Sequence, residues 1–156
     1  MSPRRLFRTL ALAEAVTWTL LIVGMLLKYV VRAGDVGVRV GGSIHGFVFL
    51  LFLVAVAVVA VNQRWSLRLT LVAVASAVVP YATIPFEVAV DRRGLLGGDW
   101  RREATGDPQH ARPLDRLLRW VLAHTALAAV VGVIGVALVF TLLLVVGPPG
   151  GASPIR

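Results

Sequence analysis

Four long apolar runs constrain this chain more than any other feature. Residues 6–31, 44–61, 67–90 and 121–146 are apolar almost throughout. Each approaches or exceeds the ~18–20 residues that carry an α-helix across a ~30 Å hydrocarbon core. A water-soluble domain would expose much of this surface as adhesive patches, since 58% of the 156 residues are hydrophobic and the mean hydropathy is +0.83. The sequence therefore predicts an all-α polytopic membrane protein: a four-transmembrane-helix bundle with a kinked third helix, multi-pass in the plasma membrane.

The remaining composition narrows the function classes. Sixteen Lys and Arg against eight Asp and Glu give a net charge of +8. These charges sit in short loops and at helix ends, where they face lipid headgroups. No nucleic-acid module accompanies them, so the lipid bilayer and not a nucleic acid is the expected partner. With no cysteine, thiolate chemistry, disulfides and Cys-ligated metals are excluded. Arg4, Arg5 and Arg8 ahead of an apolar run imitate a signal peptide. Glu14 interrupts that run, however, and no small-x-small cleavage site closes it, so it reads as a retained first helix. There is no phosphate loop, HExxH or nucleophile elbow, and no enzyme is expected.

Along the chain, residues 6–93 read as a three-helix membrane unit and 94–116 as a polar loop, with a short interfacial turn near 114–118. Residues 117–147 read as an additional transmembrane helix and 148–156 as a disordered tail. Gly34, Gly37, Gly41 and Gly42 mark a loop between the first two helices, and Ser43 is placed to cap the second. Four crossings put both termini on one side with six Lys and Arg, against ten on the other. The positive-inside rule then makes loops 32–42 and 91–116 cytoplasmic and both termini external. Trp65 and Trp120 fall at aromatic-belt depth on opposite sides.

The polar residues inside the apolar runs are the candidates for function. Glu14 lies about 12 Å along the first helix from Leu6. An ionised carboxylate at that depth is costly, so it must face protein or water, or carry a proton. Thr17, Gly24 and Lys28 follow it on one seam of the helix. Lys28 is about 21 Å from Glu14, too far to pair with it, and snorkelling to the headgroups accounts for it. Alternating helix direction would gather Lys28, His45, Glu87 and His124 in one leaflet. His45 and His124 are weak candidates to ligate a haem or a metal; otherwise no cofactor is expected. Pro80 and Pro85 break the hydrogen-bond ladder of the third helix and predict a kink.

Over about residues 1–95 the chain resembles a family of small bacterial membrane proteins, domain of unknown function 3817. The likeness lies in Glu14-Ala15-Val16-Thr17-Trp18, Gly24-Met25-Leu26-Leu27-Lys28-Tyr29 and Ser43-Ile44-His45-Gly46. It continues through Asn62-Gln63-Arg64-Trp65, Pro80 and Pro85-Phe86, ahead of Asp91-Arg92-Arg93. The resemblance implies a three-helix membrane unit and supplies no activity. The leading expectation is an accessory or assembly subunit with a membrane-protein partner. The alternatives are a homodimeric proton-coupled transporter using Glu14, and a haem- or metal-carrying module through His45 and His124.

Overall fold

A computed structural model describes residues 1–102 and 113–146, and among these the regular structure is entirely helical. The elements are α1 (Pro3–Tyr29), α2 (Val36–Gln63), α3 (Leu67–Val78), α4 (Thr83–Arg92), α5 (Pro113–Ala123) and α6 (Thr125–Val146). Three of these helices, α1, α2 and α6, are long and apolar enough to cross a membrane.

The helix α1 starts where its sequence allows. Ser2 caps it through Oγ, which accepts from the Arg5 amide at 3.3 Å, and Pro3 occupies the first turn, where an N–H would be unpaired anyway. It ends in a short turn, with Arg32 and Gly34 at positive φ (61° and 92°), and α2 begins immediately after Asp35. The glycine-rich segment is therefore mostly helix: Gly37, Gly41, Gly42 and Ser43 lie inside α2, which starts seven residues before the predicted cap. The loop expected over 32–42 shrinks accordingly.

Close packing explains these glycines. A methyl at Gly24 of α1 would fall inside the Gly37 backbone of α2, and one at Gly41 would lie 2.8 Å from the Leu20 carbonyl oxygen. Spaced by four, Gly37 and Gly41 share one face of α2, the small-xxx-small arrangement that lets two membrane helices touch backbone to backbone. Farther along, the same pair of helices packs through Phe7 and Phe52, both fully buried, with ring centroids 5.4 Å apart.

The third apolar run forms two helices in place of one kinked helix. Pro80 supplies no N–H and forces Val79 out of the helical region (ψ 123°), which ends α3. Tyr81 turns the chain at φ 65°. Pro85 causes no break, because it falls in the first turn of α4. The chain then reverses: Thr83 bonds Ala11, Glu87 meets Arg8 and Asp91 meets Arg4. So α4 descends antiparallel to α1 and ends beside the N-terminus. The start of α3 is at that end too, since Trp65 packs on Phe7 and its Nε1 donates to the Leu95 carbonyl at 2.9 Å. Thus α3 and α4 form a helical hairpin with both feet at the N-terminal end of the bundle. The expectation that residues 91–102 lie opposite the N-terminus is corrected by these contacts.

Those residues close the end of the bundle. Leu96 is fully buried with Phe7, Phe52 and Val90, and Trp100 Nε1 donates to the Met1 carbonyl at 2.6 Å. Arg101 caps the C-terminus of α2, donating to the Val61 and Asn62 carbonyls, and holds Asp115 of α5 at 2.7 Å. A cation there complements the negative end of α2. Trp65 is half-buried in this aromatic cluster and is no belt residue facing lipid, whereas Trp120 is exposed. On α5, Asp115, Leu118 and Leu122 turn inward, and the helix continues through one turn at His124 into α6. The additional helix expected over 117–147 thus begins at Pro113 and is divided at His124. From there α6 rises beside α2, with Phe140 against Gly46 and Phe47. The polar segment 103–112 and the tail expected over 148–156 lie outside the described residues.

The glycine crossing generates a prediction. Gly24→Val must push the two backbones apart, and overpacking of this kind costs about 1–3 kcal/mol. Thermal unfolding in mild detergent should show a clear loss of stability, while Gly132→Val, with open space around it, should change little.

Candidate functional site

The polar groups of α1 cluster where the α3–α4 hairpin turns. Ala11, Glu14 and Trp18 share one face of α1, being three and four residues apart. Two of them are tied to the hairpin: the Ala11 carbonyl accepts from Thr83 Oγ1 at 3.2 Å, and Trp18 Nε1 donates to the Ala77 carbonyl at 3.3 Å. These bonds supply partners to α1 and to the last turn of α3, at the level where Pro80 interrupts the helical ladder. Thr19 Oγ1 and the Tyr81 hydroxyl lie 3.2 Å apart at the tip. Glu14 sits between the two tethers, beneath the break.

Glu14 is fully buried, and neither carboxyl oxygen has a hydrogen-bond partner. Buried polar atoms are almost always paired, so this side chain is the outlier of the fold. Its backbone carbonyl is engaged: Thr17 Oγ1 donates to it at 2.9 Å. The same hydroxyl lies 3.2 Å from His45 Nδ1. The hydroxyl thus bridges the Glu14 backbone carbonyl and the His45 ring. Trp18 packs on the His45 ring with centroids 4.3 Å apart. Thus Glu14, Thr17 and His45 occur together, linked through α1 and α2.

The other candidates lie elsewhere. Glu87 is buried near the N-terminal end of α1, where Arg8 Nε approaches its Oε1 at 3.2 Å. That approach is an ion pair and not an aligned hydrogen bond, since Oε1 has no partner by hydrogen-bond geometry. Lys28 is at the opposite end, its Nζ 5.4 Å from the Tyr29 ring centroid. His124 is exposed at the α5–α6 junction, its Nδ1 3.0 Å from the Trp120 carbonyl. The gathering of Lys28, His45, Glu87 and His124 in one leaflet does not occur, because α4 turns back where a crossing helix would have continued. Among the described residues no group of three or more His, Asp or Glu side chains is placed to hold a metal ion.

Trp18 stood in the motif with Glu14, but its partner Ala77, like the contact of Thr83 with Ala11, depends on the hairpin folding onto α1. Arg8 was visible as a helix-end charge, but its partner depended on the chain reversal.

Comparison with known proteins shows a membrane-protein family. Residues 4–92 match the family described as domain of unknown function (DUF3817). A stretch of 105 residues, 67% of this chain, is 38% identical to a Streptomyces coelicolor (strain ATCC BAA-471 / A3(2) / M145) protein named "Putative membrane protein SCO5905". That stretch is 12% of the relative, so the chain spans about an eighth of the length of the curated protein it matches. No solved structure matches.

The Arg8–Glu87 pair generates a prediction. Arg8→Ala strands a buried carboxylate, at a cost of about 1–3 kcal/mol, whereas Glu87→Gln frees a half-exposed arginine to reach water. Thermal unfolding should therefore rank Arg8→Ala below Glu87→Gln, and the double variant should recover part of the loss. Equal losses would count against the pairing.

Proposed function

We propose that this chain, which belongs to the DUF3817 family, is an accessory subunit of the plasma membrane that docks by helix packing on a larger membrane protein. The observation that carries this reading is the Streptomyces relative, in which a similar stretch forms only 12% of the protein. There the unit is covalently part of something much larger, and here the same unit would assemble with its partner through lipid-embedded surfaces. The exposure of α6 supports it: almost none of its apolar stretch is covered by the rest of the chain. Leu127, Val131, Ile134, Leu138 and Leu142 of α6 are all exposed, an apolar face available for packing by another membrane helix.

In this reading α1, α2 and α6 span the bilayer, and the α3–α4 hairpin is re-entrant. Irregular backbone at membrane depth needs partners within the protein, and Trp18 and Thr83 bond between α1 and the hairpin just below its exposed tip. The charge distribution then gives an orientation opposite to that counted for four crossings. Arg4, Arg5, Arg8, Arg64, Arg68, Arg92, Arg93, Arg101, Arg102, Arg116 and Arg119 accompany the N-terminal end, against Lys28, Arg32 and Arg39 at the other among the described residues. The positive-inside rule puts the N-terminus in the cytoplasm. A single cysteine in place of Asp35 should react with an impermeant thiol reagent on intact cells, and a tag at the N-terminus should be reached only after lysis. The opposite pattern would reverse the orientation.

Extraction in mild detergent at native expression, followed by native mass measurement, tests the accessory role. A stoichiometric complex with a larger membrane protein is expected. A homodimer without partners would contradict it.

A further inference from the structure

Among the described residues the fold encloses a carboxyl group that no hydrogen bond or ion pair accounts for. Glu14 is fully buried with both carboxyl oxygens unpartnered, at the level where the third apolar run is broken. We propose that Glu14 is a proton-binding site, sealed between α1, α2 and the tip of the α3–α4 hairpin and loaded and unloaded when that tip moves.

The chemistry of the surroundings selects a proton over other cations. A sodium or calcium ion would need some six oxygen ligands around the carboxylate. No group among the described residues is hydrogen-bonded to the Glu14 carboxyl to begin such a shell; the nearby hydroxyls of Thr17 and Thr83 are directed to the Glu14 and Ala11 backbone carbonyls. Among the described residues no second carboxylate joins it, since Glu87 is engaged by Arg8. A lone carboxylate without a counter-charge in a hydrocarbon environment is strongly disfavoured against its neutral acid. In the closed arrangement the group is therefore the acid. On release the O–H bond breaks, its electron pair stays on the carboxylate, and the proton passes to water.

The hairpin tip is built to move. Three side-chain contacts of 3.2–3.3 Å tie it to α1: Trp18 to Ala77, Thr83 to Ala11, and Thr19 to Tyr81. Residues 79–82 form an irregular turn, Tyr81 is 44% exposed, and the first turn of α4 has no side-chain cap. When the tip opens, water enters and solvates the ionised form. The other ionisable groups around Glu14 are His45 on α2, held by Thr17, and the Arg8–Glu87 pair between α1 and α4. The proposal is independent of the accessory role, because it concerns a site within the chain.

Infrared spectroscopy of the full chain in lipid vesicles tests it. The wild type should show a protonated-carboxyl carbonyl band that Glu14→Gln lacks. Raising the bulk pH should abolish the band, and returning the pH should restore it. Sodium should have no effect. Pro80→Ala, which permits a more continuous third helix, should slow the exchange several-fold. A band that persists unchanged until the protein unfolds would make Glu14 a sealed structural acid and overturn the proposal. Absence of the band in the wild type, or its loss on adding sodium, would also overturn it. Should Glu14→Gln fail to fold, Glu14→Asp, which keeps the acid, serves as the comparison; its band should shift and remain reversible.

Discussion

Pro80 has no N–H to give and will not let Val79 be helical, and much of this fold follows from that one constraint. In water a broken helix is unremarkable, because solvent satisfies the freed groups. Inside a bilayer the protein must do so itself. Trp18 and Thr83 answer this need, one donating to the Ala77 carbonyl at the end of α3 and the other fastening the start of α4 to the Ala11 carbonyl. With the break tied to α1, the chain returns to the end from which it came. Asp91 meets Arg4, Leu96 enters the aromatic core and Arg101 closes the end of α2. The crowding of arginines at one end of the bundle follows from the reversal.

The glycine crossing supplies the second element of the design. Backbone contact between Gly24 and Gly37 draws α1 and α2 together at one end, and the rings of Phe7 and Phe52 pack on each other toward the other. Within the bilayer, where lipid tails are as apolar as the side chains, such shape matching replaces hydrophobic burial as the force for association. The α3–α4 hairpin packs against α1 at the N-terminal end. Glu14 is left at the junction of the three elements, with Thr17 and His45 on the α2 side and Trp18 and Thr83 on the hairpin side.

Much of this was legible in the chain. Hydropathy identified a helical membrane protein, and the seam Glu14–Thr17–Gly24–Lys28 marked the face of α1 that packs. The tight connector before Trp65 is present, with Arg64 left-handed at φ 53° and the Trp65 amide bonding the Ala60 carbonyl. The errors share a cause. Glycines were read as loop formers, whereas Gly37 and Gly41 serve close approach. A run of 24 apolar residues was read as one crossing, although a proline-broken run satisfies the same hydropathy as a hairpin of half its height. Apolar composition reports depth in the membrane and not direction of travel, and that ambiguity carried Glu87, residues 91–102 and the charge count to the wrong side.

The reversal at Pro80 is the central claim, and distances between spin labels test it directly. Arg5→Cys paired with Arg93→Cys joins two points that the structure places at one end, and Ala33→Cys paired with Arg93→Cys joins points at opposite ends. Measured by pulsed electron resonance in lipid, the 33–93 distance should exceed the 5–93 distance by an amount approaching the ~40 Å length of a helix such as α1. The reverse order, with residue 93 near residue 33 and far from residue 5, would show the third run crossing the membrane and would contradict the account.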